Sequence, residues 1–166
     1  MRASTARGRA WGAVGGLATA LAALAFFHTA AAQPTGETVA VFPLRNLTFG
    51  LVPPGLPTQV SPTDGSRSAV FEVRGRGAVL LVFELPDALA ASAGPSVPLA
   101  FGPDHGRVAW PNGREIFFDP RTPVLVTIGP SGRAYIHLGG EVRPGPRQLP
   151  GQYNAAIVLR LLHPGT

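Results

Sequence analysis

Apolar positions along the chain fall into short runs, which glycine and proline separate from one another. With 21 glycines and 18 prolines among 166 residues, long helices have little room. Short stretches rich in Val, Ile, Leu and Phe between turn residues are typical of strands. We therefore expect strands at residues 38–44, 47–49, 58–60, 68–74, 78–85, 97–101, 107–110, 114–118, 124–128, 134–138 and, last, within 150–162. Only residues 87–92 have a pattern that could form a helical turn.

Two pairs of these segments are separated by glycine-containing turns and are predicted to form hairpins. The first pair is 68–74 and 78–85, joined at residues 75–77, and its second strand is apolar enough for burial on both faces. The second pair is 124–128 and 134–138, joined by Gly-Pro-Ser-Gly at residues 129–132.

The closing stretch, residues 150–162, is apolar where many chains end in polar residues. Ile157, Leu159 and Leu161 alternate and are predicted to share one face. A strand that is central in its sheet has neighbours on both sides, which would explain the apolar character of this stretch. We therefore expect it to be a central strand. Tyr153 would lie at its start, with the ring on the core and the hydroxyl bonded to a loop backbone group.

Together these segments predict an all-β fold, an immunoglobulin-like antiparallel β-sandwich of about seven to nine strands. The sandwich is expected to form one domain over residues 33–166.

The N-terminal segment is different in kind. Residues 1–9 carry three arginines and no acid, residues 10–27 are almost wholly apolar or small, and residues 28–32 end in three alanines. This order is typical of a secretory signal peptide, so we expect cleavage after Ala32. The alternative is a retained N-terminal anchor. Cleavage predicts an exported protein located in the periplasm, at the cell surface or outside the cell, with no stable membrane insertion.

Charge and cysteine content narrow the function classes. Loss of Arg2, Arg7 and Arg9 with the signal peptide takes the formal net charge from +5 to +2, which gives little reason to expect a nucleic-acid partner. The chain has no cysteine, so it forms neither disulfides nor thiolate metal sites. Its stability must come from core burial and hydrogen bonds.

Five motifs in this order resemble those of a bacterial secreted domain of unknown function, family 4402. They are PLRNLTFGLVPPG at 43–55, AVFEVRGRG at 69–77, FELP at 83–86, IHLGGEV at 136–142 and PGQYNAAIVLRL at 150–161. The resemblance implies an exported β-sandwich similar to fimbrial and other surface proteins, and it carries no catalytic residues. The chain departs from the family pattern at Asn154 and Ala155, and in residues 102–120, which are richer in Trp, His and acids.

Candidate chemistry concentrates in this middle region. Trp110, Asp104, His105, Asn112 and Asp119 are the residues of a predicted binding loop. A core position for Trp110 and solvated positions for the polar residues are the alternatives. Asp104, Glu115 and Asp119 match no calcium-loop spacing, and the histidines show no ligand spacing. No G-x-S-x-G motif occurs, so we expect neither catalysis nor a cofactor.

Two functions follow from these observations. The first is a secreted or cell-surface structural or adhesion-type protein without catalytic activity, whose partner is another copy of itself or another envelope protein. In this hypothesis the N-terminal arm, residues 33–44, either completes a neighbour's sheet or is the domain's own first strand. The second is an extracytoplasmic binding module for a carbohydrate or an envelope protein, which uses the loops at 102–119.

Overall fold

The computed structural model describes residues 39–91 and 94–164, and this part of the chain is all-β, with 13 strands and no helix. The predicted signal peptide lies outside the described residues. The strands are β1 (Ala40–Arg45), β2 (Thr58–Val60), β3 (Ala69–Arg74), β4 (Gly77–Glu84), β5 (Ala88–Ala91), β6 (Val97–Ala100), β7 (Gly106–Ala109), β8 (Glu115–Phe118), β9 (Val124–Ile128), β10 (Arg133–Leu138), β11 (Gly140–Val142), β12 (Tyr153–Asn154) and β13 (Val158–Leu162).

The strands form three antiparallel sheets. Sheet I has the order β1-β3-β10-β7-β8, sheet II the order β12-β5-β6-β11-β2, and sheet III the order β13-β4-β9. The count exceeds the expected seven to nine because several strands are only two to four residues long, such as β12 with two. Such short pairings leave too little alternation in the sequence to be recognised.

The sandwich core has two clusters. The first lies between sheets I and III and includes Val73, Leu81, Val126 and Ile136, all nearly inaccessible to solvent. The second is formed mainly by sheet II and the adjoining end of sheet I, with buried residues Ala69, Val97, Leu99, Phe101, Leu138 and Val142. Phe71 and Phe83 pack against both clusters, with their ring centroids 6.1 Å apart. Burial of these apolar side chains is the main favourable contribution to folding.

Both predicted hairpins are wrong, although their strands exist. β3 pairs with β1 and β10 in sheet I, whereas β4 pairs with β9 and β13 in sheet III. The chain therefore crosses between facing sheets at residues 75–76, and it crosses again between β9 and β10 at residues 129–132. The two crossings lie side by side, since the Gly75 N–H donates to the Gly132 carbonyl at 3.0 Å. A glycine-containing turn indicates only that the chain reverses direction. The two strands can then pair in one sheet or lie in facing sheets, and both arrangements bury the same apolar side chains.

The last strand is also placed differently from the prediction. β13 pairs only with β4 and is an edge strand of sheet III. Its apolar character comes from Leu159, which is buried in the first core cluster, and Leu161, which packs against it. The expected packing and hydrogen bond of Tyr153 are confirmed, because its ring packs on the second core cluster and its hydroxyl donates to the Leu149 carbonyl at 2.7 Å. Its expected position is wrong, since Tyr153 belongs to β12 of sheet II and not to the start of β13.

Two further segments differ from the sequence prediction. Residues 88–91 form strand β5, where a helical turn was expected, because their backbone pairs with β6 and β12. Residues 47–49 are not a strand. The first strand instead comprises Ala40–Arg45 and pairs with β3 of the same chain, which favours its interpretation as the domain's own first strand.

A glycine permits the corner between sheets I and II. At Gly139, between β10 and β11, an added Cβ would lie 2.2 Å from the Val60 carbonyl oxygen. Only glycine allows the backbone to approach so closely, and this contact holds β11 beside β2.

Candidate functional site

The predicted binding loop is divided between the two ends of the β7–β8 hairpin. Trp110 and Asn112 lie at its turn, whereas His105 precedes β7 and Asp119 follows β8. A four-residue strand separates the two ends by about 13 Å. The five predicted residues therefore do not converge on one point.

Trp110 is part of the core. Its side chain is buried in the first cluster, its Nε1–H donates to the Thr127 carbonyl at 3.0 Å, and the Arg114 guanidinium lies 4.9 Å from the ring centroid. Asn112 Oδ1 accepts a hydrogen bond from the Arg114 backbone N–H at 3.1 Å within the same turn. This geometry favours the core-filling interpretation of Trp110 over a sugar contact.

The other three residues have structural contacts or face solvent. His105 is buried, its Nδ1 accepts the Gly102 N–H at 2.9 Å, and its Nε2 lies 2.8 Å from the Gln59 side-chain nitrogen. Burial lowers the pKa of His105, so the ring is neutral at physiological pH. Hydrogen bonds from Arg121 lower the pKa of Asp119. Asp104 is exposed.

A concave feature lies elsewhere, beside the second core cluster. It is a cleft of about 1010 Å³ between the loop that follows β1 and the loop around β12. Its apolar wall includes the half-buried side chains Leu47, Phe49, Val52, Leu89 and Ile157, with Tyr153 at one side. Six prolines also line it: Pro43, Pro53, Pro54, Pro86, Pro144 and Pro150. A smaller depression of about 460 Å³ lies near Phe83 and Arg121.

The cleft is not predictable from the sequence alone, although part of its signal is present there. The alternation of Leu47 and Phe49 was interpreted as a strand, but neither residue is paired in a sheet. Their apolar side chains instead partly cover the second cluster from a loop. The loops leave part of the second cluster uncovered. Their positions depend on contacts between residues that are distant in the sequence, such as the 3.1 Å hydrogen bond from the Gly55 N–H to the Gly145 carbonyl.

The outer face of sheet I carries a charged network centred on Glu72. Its carboxylate is almost inaccessible and accepts a hydrogen bond from Arg74 at 2.7 Å, while the Arg133 Nε lies 3.6 Å away. The Arg74 hydrogen bond, and then the charges of Arg74 and Arg133, lower the pKa of Glu72 against the opposing effect of its burial. Arg74 and Arg133 stand directly opposite each other on adjacent strands, an arrangement that is repulsive without a shared carboxylate.

His137 occupies the next row of the same face. Arg107 stands opposite it on β7, Val70 on β3, and Arg45 follows on β1. Burial and then the charges of Arg107 and Arg45 lower the pKa of His137 to about 4. Arg107 in turn donates to the Glu115 carboxylate at 2.9 Å.

The outer face of sheet III is predominantly aliphatic. Leu80 pairs with Leu162 on one side and with Leu125 on the other, so the three leucines form one row across the sheet. Leu125 and Leu162 are 57% and 47% exposed, more than expected for a leucine side chain with a packing partner. The sequence predicted burial of β4 on both faces, but only Val79 and Leu81 of its inner face are buried.

Arg160 and Glu84 form an ion pair on this aliphatic face, 2.5 Å apart, and both side chains are more than half exposed. Beyond the row of leucines, the outward side chains include Ala78, Val82 and Val158.

The described residues contain no group of three or more His, Cys, Asp or Glu that could hold a metal ion. Within the same ranges, 39–91 and 94–164, no helix has the length and hydropathy needed to cross a membrane. A comparison of the chain with protein-family models, curated proteins and solved structures finds no match. The resemblance to family 4402 therefore stays a prediction.

Proposed function

We propose that the chain is an exported, non-catalytic structural protein of the cell surface or periplasm that associates with further copies of itself. The observation that carries this proposal is the aliphatic outer face of sheet III. Contiguous exposed apolar surface of this kind marks interaction sites on soluble proteins. Both edges of the sheet, β13 and β9, also lack a neighbouring strand within the described part of the chain.

A second copy suits this face chemically. An aliphatic surface gains most from contact with another aliphatic surface, and its one ion pair consists of opposite charges. Across a twofold axis, Arg160 of one copy can face Glu84 of the other, so the face is complementary to itself. No like charges would be buried against each other in this arrangement.

The size of the face determines how strongly the copies associate. Three strands at a spacing of about 4.8 Å and five residues at about 3.3 Å give roughly 250 Å² per copy. A stable dimer buries about 800 Å² per partner. The face alone therefore supports weak, concentration-dependent association and not an obligate dimer.

Sedimentation equilibrium of residues 33–166, which include all described strands, tests this proposal. We expect a rising average mass with concentration, and we expect Leu125→Lys to weaken self-association by about tenfold or more, because it places a charge in an apolar contact. Phe117→Lys is the matched control, since Phe117 is 47% exposed but lies in sheet I. A monomer at all concentrations, or equal effects of the two substitutions, would contradict the proposal.

A further inference from the structure

The cleft beside the second core cluster has walls that are fixed by hydrogen bonds. On one side, Arg45 donates through Nε to the Ser68 carbonyl at 2.7 Å and through its terminal nitrogens to the carbonyls of Gly65 and Asp64. These bonds join the end of β1 to the loop that precedes β3. A cavity whose walls are already ordered loses little conformational entropy when a ligand binds.

The opposite wall is fixed in a similar way. Tyr153 donates its hydroxyl proton to the Leu149 carbonyl at 2.7 Å, and Gln148 Nε2 donates to the Pro95 carbonyl at 2.9 Å and to the Tyr153 hydroxyl at 2.8 Å. The loop at residues 148–153 is thus connected to the segment before β6. Both walls hold their apolar side chains towards the space between them.

The charge of the lining indicates what the cleft accepts. Arg45 is the one charged residue among the described residues that line it, and its guanidinium already donates to three backbone carbonyls. The N–H groups that Arg45 donates to these carbonyls are not available to an anionic ligand group, and a cationic group would be repelled by the positive charge of Arg45. An uncharged ligand therefore matches the cleft.

The hydrogen-bonding capacity of the lining distinguishes a lipid-like ligand from a peptide. An extended peptide brings backbone N–H and C=O groups that need partners. The six lining prolines have no N–H to donate, and the polar groups of Arg45, Gln148 and Tyr153 are engaged within the protein. Polar side chains such as Asn46, Gln152 and Asn154 are exposed and lie at the rim. The apolar interior offers contact surface and few hydrogen bonds.

From these observations we propose that the cleft is a binding site for an uncharged lipid-like molecule, with its hydrocarbon part against Leu47, Phe49 and Ile157 and its neutral polar group at the rim. The volume of about 1010 Å³ lies at the upper end of the range for ligand pockets, roughly 300–1,000 Å³. This site is separate from the aliphatic face of sheet III, and the inference does not depend on self-association.

The test is a fluorescence titration of residues 33–166 with N-phenyl-1-naphthylamine, an uncharged apolar probe. We expect saturable binding that 1-monooleoylglycerol displaces. Leu149→Arg introduces a charge at an exposed cleft position, so it should weaken probe binding by about tenfold or more without unfolding the protein. Ala155→Trp, also at an exposed lining position, should reduce binding by filling space.

Leu125→Arg is the matched control, because it makes the same change at an exposed leucine outside the cleft. It should leave probe binding unchanged even where it weakens self-association. Absence of saturable binding would overturn the inference, as would equal losses in the Leu125 and Leu149 variants. Displacement by an uncharged apolar peptide but not by the monoacylglycerol would also overturn it.

Discussion

The outer face of sheet I carries ion pairs and aromatic rings, whereas the outer face of sheet III carries mainly aliphatic side chains. Both faces belong to antiparallel sheets that cover the same core cluster. On sheet I, Phe42 and Tyr135 stand opposite Glu72, so neighbouring side chains enclose the carboxylate. On sheet III, Leu125 and Leu162 stand on either side of the half-buried Leu80 and are themselves exposed.

This difference shows that burial on the outside of a sheet depends on what the neighbouring strands contribute. Glu72 is a charged residue in a strand, yet it is less exposed than Leu80 on the other outer face. Sheet I pairs charged groups of its outer face within the chain, whereas sheet III leaves an apolar surface exposed. Three measurements test this contrast, and they are described in order of decreasing expected effect.

Substitution of Glu72 by Gln should have the largest effect on stability. It removes the negative charge that lies close to both Arg74 and Arg133. The two guanidinium groups then repel each other across the strands. We expect the melting temperature to fall by roughly 5 °C or more. The equivalent change on sheet III, Glu84→Gln, breaks an ion pair in which both side chains are more than half exposed, and should shift it by about 1 °C at most. Similar shifts for both variants would remove the distinction between the faces.

Acid titration should reveal His137 as a second element of the sheet I network. Folding lowers its pKa from 6.5 to about 4, through burial and then the charges of Arg107 and Arg45, with Glu115 opposing. Above pH 6.5 the ring is neutral in both states. As pH falls from 6.5 to about 4, the unfolded chain binds a proton that the folded chain does not, so stability decreases; below about 4 this contribution is constant.

After allowance for the partial exposure of the ring, this loss should amount to about 1 to 2 kcal/mol. Urea unfolding of the wild type and of His137→Gln at several pH values measures it. The difference between their free energies of unfolding isolates His137 from the carboxylates and from His105, which titrate in both proteins. A difference that does not change between pH 6.5 and pH 4 would contradict the assignment.

The salt concentration should have the smallest effect on self-association. It distinguishes a contact between apolar side chains from a contact between charged groups. Raising NaCl from about 0.05 M to about 1 M screens exposed charges, whose Debye length falls to about 3 Å. Self-association through the aliphatic face should stay within about twofold of its low-salt value, because apolar contact needs no charge attraction. A strong decrease in association, measured by sedimentation equilibrium, would assign the contact to charged groups such as those of sheet I.

Much of the fold could be predicted from local patterns. The strands at Thr58–Val60, Ala69–Arg74, Val97–Ala100 and Val124–Ile128 all lie within predicted segments, because two-residue alternation and flanking turn residues are local properties. The contact of the Tyr153 hydroxyl with a loop carbonyl was predictable for the same reason, since its acceptor is only four residues away.

The candidate site was much less predictable. The sequence pointed to Trp110 because large aromatic residues beside turns can face ligands, but the ring lies in the core and donates to Thr127. The cleft is formed by two loops that are about a hundred residues apart in the sequence, near Phe49 and near Tyr153. No local pattern indicates that such loops leave a space between them.

The sequence by itself determined that the described part of the chain is all-β, that the chain has no disulfide, and which side chains alternate on the longer strands. These properties follow from composition and from the two-residue repeat of an extended backbone. The tertiary structure alone decided that β3 and β4 lie in different sheets, that β13 is an edge strand, and that Glu72 is buried while Leu125 is exposed. The physical reason is that a turn and an alternating strand specify two faces, but only packing against distant strands determines what each face contacts.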